Sequence, residues 1–187
     1  MQDLDRLTEL MGGTDGLNKK LDELFNAEPN EGDLQDMTGY IGQYVHGNEP
    51  SHHVIYLYNR TNQPWKAQEY LDQVYKDFYH NGPDGLIGNE DVGQMSAWYI
   101  MSTMGFYQIT PGDPTYTIGR PVFDEVTVHL AEGEFKVIAE NNSPDNLYVK
   151  EVTINGKPLD QYNTFAHSEI YPGGELRFVM TNQKPVN

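Results

Sequence analysis

Two segments of this 187-residue chain concentrate side chains able to do chemistry. One runs Gln43-Tyr-Val-His-Gly-Asn-Glu-Pro-Ser-His-His53, the other Gly85-Leu-Ile-Gly-Asn-Glu-Asp-Val-Gly-Gln94. Each joins carboxylates and amides to small residues, in a loop that enters a helix. Oxygen groups of this kind bind a hard cation or hydrogen-bond the hydroxyls of a sugar. Two carboxylates brought together from different loops also meet the basic requirement of glycoside hydrolysis. Simpler roles compete. Glu90-Asp91 ahead of Val92 makes a good helix N-terminus, with acids against the positive end of the dipole. Adjacent His52 and His53 cannot share a helix face, so one at most reaches a site. Zinc is disfavoured, because there is no cysteine and no His-x-x-x-His pair, and acids and amides suit calcium better.

The elements that must position these loops are helical. Leu4, Leu7, Leu10 and Met11 recur at helical spacing, and Gly12-Gly13 supplies a stop. Thr14 or Asp15 can cap a second helix whose apolar face is Leu17, Leu21, Leu24 and Phe25. Asn26 to Met37 reads as a loop, broken by Pro29 and Gly32. A third helix is expected from about Ser51 to Tyr58. A fourth starts at Pro64 and carries Ala67, Leu71, Val74 or Tyr75, and Phe78. Asn81-Gly-Pro-Asp-Gly85 forces a loop. The fifth, about Val92 to Met104, carries no charge and has apolar or small residues nearly all round. Such a helix is expected to be buried on most sides, with Trp98 and Tyr99 in the core.

Past Pro111 the period falls to two. Strands are expected at Val126–Leu130, Phe135–Ala139, Leu147–Ile154 and Glu175–Met180, with turns at Asn155-Gly156 and Pro172-Gly-Gly174. The fold class is α+β: a helical segment over 1–110, then a small antiparallel β unit over 111–187. His129 and His167, in the β half, read as structural. The chain carries 28 acids against 12 Lys and Arg, a formal charge of −16, which argues against a nucleic-acid partner. Residues 1–110 hold 17 of the acids and 6 of the bases. No apolar run approaches the roughly 18 residues that span a bilayer.

At the two polar segments the sequence resembles a known family. His46-Gly-Asn-Glu-Pro-Ser-His-His53 resembles a signature of the glycoside hydrolase family 92 α-mannosidases. So does Gly88-Asn-Glu-Asp-Val-Gly-Gln-Met-Ser-Ala-Trp-Tyr99, continuing to Gly105-Phe-Tyr107. Met11-Gly-Gly13, Pro111-Gly112 and Ile118-Gly-Arg-Pro121 also match the family's spacing. The resemblance covers nearly the whole chain and is weakest over the last 50 or so residues.

The resemblance implies a calcium-dependent, inverting exo-α-mannosidase, with α-1,2 linkages common among its substrates and mannose-containing glycans as partners. It implies an (α/α)6 catalytic toroid combined with β-sandwich structure, so that residues 1–110 would be the end of the toroid. Asp91 takes the general-base position, flanked by Glu90 and Asn89; some members carry a second acid where Asn89 stands. Asn48 and Glu49 match the loop that supplies calcium and sugar contacts, and His52, His53 and Gln43 line the site. The family's general acid lies in a Glu-Gly-x-x-x-Trp-Gln-Tyr motif ahead of the segment resembling residues 1–13. The chain is therefore expected to be a C-terminal piece, inactive alone, of a secreted or periplasmic enzyme. Its partner would be the N-terminal part of that enzyme, with self-association possible through the uncovered seam. Residue chemistry alone leaves open another (α/α)6 glycosidase or phosphorylase, a carbohydrate-binding module, or a structural domain whose polar loops are caps.

Overall fold

The computed structural model describes residues 3–28 and 37–185, so most of the expected loop between Asn26 and Met37 lies outside the described residues. Helix α1 (Leu4–Leu10) is capped by the Asp3 carboxylate, which accepts from the Arg6 amide at 2.8 Å. Helix α2 (Gly13–Asn26) starts one residue before Thr14, on a left-handed Gly12, so neither Thr14 nor Asp15 is the cap. It buries Leu17, Leu21 and Phe25, the stripe its 3.6-residue spacing dictates. Helix α3 (Trp65–Phe78) follows Pro64 and buries Ala67, Leu71, Val74 and Tyr75. Between them, the short strands β1 (Tyr40–Ile41) and β2 (Tyr44–Val45) form an antiparallel hairpin.

The third expected helix is two 3₁₀ turns, Glu49–Ser51 and Ile55–Arg60. Residues 55 to 59 are five consecutive buried positions, so the segment is enclosed on every side. Packing all round overrides the one-sided pattern a surface α-helix needs. Helix α4 (Gln94–Met104) begins two residues later than expected, because Asp91, Val92 and Gly93 all have positive φ. Its burial is also less complete than its composition predicts: Met95, Trp98, Ser102 and Thr103 are buried, whereas Ile100 is 57% exposed.

The second half holds two sheets, the larger of them mixed, not the wholly antiparallel unit expected. A three-stranded antiparallel sheet has the order β3 (Phe106–Tyr107), β4 (Thr115–Ile118), β9 (Thr164–Ala166). The larger sheet has the order β5 (Glu125–His129), β6 (Glu134–Glu140), β10 (Gly174–Thr181), β7 (Tyr148–Ile154), β8 (Lys157–Pro158). Strand β10 is antiparallel to β7 but parallel to β6, with Leu176 beside Val137 and Phe178 beside Ala139. Alternation reports which face a side chain takes, not strand direction. The parallel pair arises because the chain travels through residues 141–173 before returning alongside β6, a crossover such a pair requires. Asn155 and Gly156, both with positive φ, form the expected tight turn between β7 and β8.

Two clusters of buried side chains result. One gathers Leu17, Phe25, Tyr56, Leu71, Val74 and Trp98; the other gathers Phe106, Phe135, Val137, Leu176 and Phe178. No helix among the described residues is long and apolar enough to cross a membrane.

Candidate active site

The first polar segment contains strand β2 and continues beyond it. His46 is fully buried there, with Nδ1 at 2.8 Å from the Tyr44 hydroxyl and Nε2 at 2.7 Å from the Tyr79 hydroxyl. Burial, aided by neighbouring His52, lowers the His46 pKa to about 3. The ring of His52 stacks on it with centroids 4.9 Å apart, and its Nε2 lies 3.0 Å from the His46 carbonyl. A carbonyl only accepts, so Nε2 carries the proton and Nδ1 accepts from Gln94 Nε2 at 3.3 Å. Burial outweighs the carbonyl bond and lowers the His52 pKa to about 4. Both imidazoles are neutral at pH 7. Helix α4 locks the pair: the Trp98 indole N–H donates to the His52 carbonyl at 3.1 Å, and its ring meets His46 edge-on.

This scaffold holds Glu49 at the start of the first 3₁₀ turn. Its Oε1 is buried and without a hydrogen-bond partner among the described residues. Its own backbone amide draws its pKa down, but the nearby Asp91 carboxyl and burial prevail and raise it. A carboxyl group from each polar segment thus lies within electrostatic reach of the other. His53 lines the same cleft as Glu49 and has a buried, unpartnered Nε2 among the described residues, and burial lowers its pKa.

Glu90 and Asp91, adjacent in sequence, take different tasks. The Glu90 carboxylate accepts from the Ser96 amide at 3.0 Å and the Ser96 hydroxyl at 2.6 Å. It satisfies the third amide of α4, as a cap does, and those two bonds lower its pKa. Asp91 is exposed, at φ +43°, followed by Val92 at φ +59°. A β-branched residue in the left-handed region is a genuine outlier, and Val92 is fully exposed besides. Strain of this kind persists where the surroundings over-determine it, and such residues cluster at functional sites.

An open cleft of roughly 660 Å³ lies beside Glu49, lined also by His52, His53, Gln94, Trp98 and Tyr107. Asn48, half-buried, precedes Glu49, and Asn89 is exposed on the Asp91 loop. Gln43 does not join them. It sits exposed at the tip of the β1–β2 hairpin and lines a separate groove with Leu7, Leu21 and Leu24. His129 and His167 are also elsewhere, paired with Glu134 and Tyr116. Sequence reasoning gave Gln94 and Tyr107 no role, yet Gln94 Nε2 bridges His52 and the Tyr107 hydroxyl at 3.3 and 3.2 Å. Their signal was membership of the second motif, with Gln94 counted only among the amides of its segment.

Among the described residues no three His, Cys, Asp or Glu side chains converge to hold a metal. A calcium ion needs less than that, since amide and backbone oxygens complete its shell. The unpartnered buried Glu49 oxygen, opposed by a second carboxylate, is a donor set that a hard cation fits.

An α+β fold with a carboxylate on each of two neighbouring loops, one of them lining a cleft, marks the class as a candidate hydrolase. The family is settled by comparison: residues 1–182 match the model of the glycosyl hydrolase family 92 catalytic domain, and the chain belongs to that family. It is similar to a family GH92 α-mannosidase from Bacteroides thetaiotaomicron in complex with mannoimidazole, at 43% identity and TM-score 0.89 over 97% of this chain and 24% of that one. A family GH92 inverting mannosidase from the same organism matches at 40% identity and TM-score 0.80, over 97% and 26%. An uncharacterized secreted glycosidase of Arthroderma benhamiae is 25% identical over 97% of this chain and 22% of its own length. The chain thus spans about a quarter of the length of these relatives.

Proposed function

We propose that this chain supplies the general-base side and the cation-binding loop of a calcium-dependent, inverting exo-α-mannosidase acting on mannose-containing glycans, α-1,2-linked ones among them. The observation that carries the reading is the proximity of Asp91, exposed on a left-handed turn, to the half-buried Glu49 carboxyl, whose Oε1 is buried without a hydrogen-bond partner among the described residues. Inversion requires a water between the base and the sugar, opposite a general acid. Asp91 takes the proton from that water; its exposed position leaves space for both. Glu90, committed to Ser96, fixes the turn that aims Asp91. Asn48 and Glu49 would hold calcium, whose chemistry there is positive charge that gathers sugar hydroxyls and polarises the site. His53 and Asn89 line the sugar's approach, and His52 orients the loop beneath it.

The general acid is assigned outside these 187 residues, and the helical half to the end of an (α/α)6 toroid. The exposed Leu10, Met11 and Ile100 are where the rest of that enzyme would pack. The similarity to a secreted glycosidase supports a secreted or periplasmic enzyme. The test is turnover of an aryl α-mannoside by the intact enzyme, with the product anomer read by NMR. Asp91→Asn should lower kcat by roughly 10²- to 10⁴-fold, the range of general-base catalysis. Residues 1–187 alone should give no turnover. An Asp91→Asn enzyme within twofold of wild type would overturn the assignment.

A further inference from the structure

The two loops that carry the site come from segments about 40 residues apart, yet they touch at backbone level. Gly47 and Gly88, each immediately before the Asn-Glu of its loop, pack so closely that a Cβ on Gly88 would lie 2.8 Å from the Gly47 Cα. Backbone approach alone brings them together without tying them. The tie is a third residue, outside both motifs. The Thr38 carbonyl accepts from the Gly47 amide at 3.0 Å. The Thr38 hydroxyl donates to the Ile87 carbonyl on the other loop. One residue is therefore bonded to the chain two positions before Glu49 and four positions before Asp91. Its neighbour repeats the pattern: the Gly39 carbonyl accepts from the His46 amide at 2.8 Å, and Gly39 itself lies against Ile87.

We propose that Thr38 is a positioning residue that sets the separation of the Glu49 and Asp91 carboxylates by bridging their loops. The proposal rests on the reading of these two groups as cation ligand and general base. Its physical basis is that catalytic groups must be held within fractions of an ångström by bonded supports. The main-chain bond to Gly47 survives any substitution at this position, so substitution isolates the side chain's bond to the Ile87 carbonyl. Valine has threonine's shape without its hydroxyl; serine keeps the hydroxyl.

The experiment uses the intact enzyme and three variants, Thr38→Val, Thr38→Ser and Gly88→Ala. Each is measured for kcat and KM on an aryl α-mannoside and for calcium affinity by titration calorimetry. Thr38→Val should lose roughly five- to tenfold in kcat, the rate equivalent of one neutral hydrogen bond, with KM within twofold. Calcium affinity should weaken by a similar factor, and Thr38→Ser should restore both to within twofold of wild type. Gly88→Ala, which wedges the loops apart without touching Thr38, should reproduce the kcat loss; it decides the matter if Thr38→Val fails to fold. The proposal is overturned if Thr38→Val matches wild type, if serine is as impaired as valine, or if Gly88→Ala alone is silent when valine misfolds. An active Asp91→Asn enzyme would remove the underlying reading; an inactive one beside an unaffected Thr38→Val removes only this inference.

Discussion

Replacing His46 by glutamine should make the protein less sensitive to mild acid, although it removes an imidazole that two tyrosines hold. His46 is fully buried, and its pKa falls from 6.5 to about 3 on folding. The unfolded chain therefore binds the proton first. Stability from this residue is complete above about pH 6.5 and is lost as the pH falls toward 3. At pH 5 the unfolded imidazole is almost wholly protonated and the folded one almost wholly neutral. Linkage then gives a loss of about 2 kcal/mol relative to neutral pH, with a local slope of about 1.4 kcal/mol per pH unit. His52, displaced in the same direction to about 4, adds to the slope. Urea unfolding, followed by the fluorescence of buried Trp65 and Trp98, measures the effect at pH 7.5 and pH 5. The carboxylates titrate alike in both proteins, so the difference between their pH slopes isolates His46. Glutamine can still donate and accept toward Tyr44 and Tyr79; any constant cost of the replacement appears at both pH values and cancels. If His46→Gln loses as much stability between pH 7.5 and 5 as wild type, the buried-neutral account of this residue is wrong.

Two further outcomes are expected. Glu49→Gln keeps the shape of the side chain and removes its charge, so calcium affinity of the intact enzyme should fall at least tenfold in titration calorimetry; unchanged affinity would remove Glu49 from the cation site. Leu71 is wholly buried in the helical core, and Leu71→Ala should destabilise by roughly 2–5 kcal/mol in denaturant unfolding; a loss below about 1 kcal/mol would mean that the site collapses around the missing atoms.

Much of the helical half was legible. The stripes of α2 and α3 are the residues their spacing assigned, because each helix buries one face only. The segment from 49 to 60 was not, because its second turn is buried on every side over residues 55 to 59 and there one-sided periodicity carries no information. The four strands expected in the β half lie close to their expected positions, since alternation is local, whereas the short strands β4, β8 and β9 were not read, because two to four residues carry too little alternation. The parallel pairing of β10 with β6 was hidden, since it depends on where a distant strand returns.

The site divides along the same line. Two polar motifs, their family and the residue types available to each were determined by sequence, since composition and order are themselves the motif. Glu90 and Asp91, side by side, had equal claims to cap or catalyse until backbone dihedrals turned one toward Ser96 and left the other exposed. Gln43 lay as close to His46 in sequence as Glu49, yet the β1–β2 hairpin carries it to a different groove. Thr38 had no signal at all, because a hydroxyl that bridges two loops is defined only by the carbonyl it meets. Which groups exist is a property of the chain. Which of them face one another is fixed by long-range packing, and the pairing of Glu49 with Asp91 belongs to that second kind.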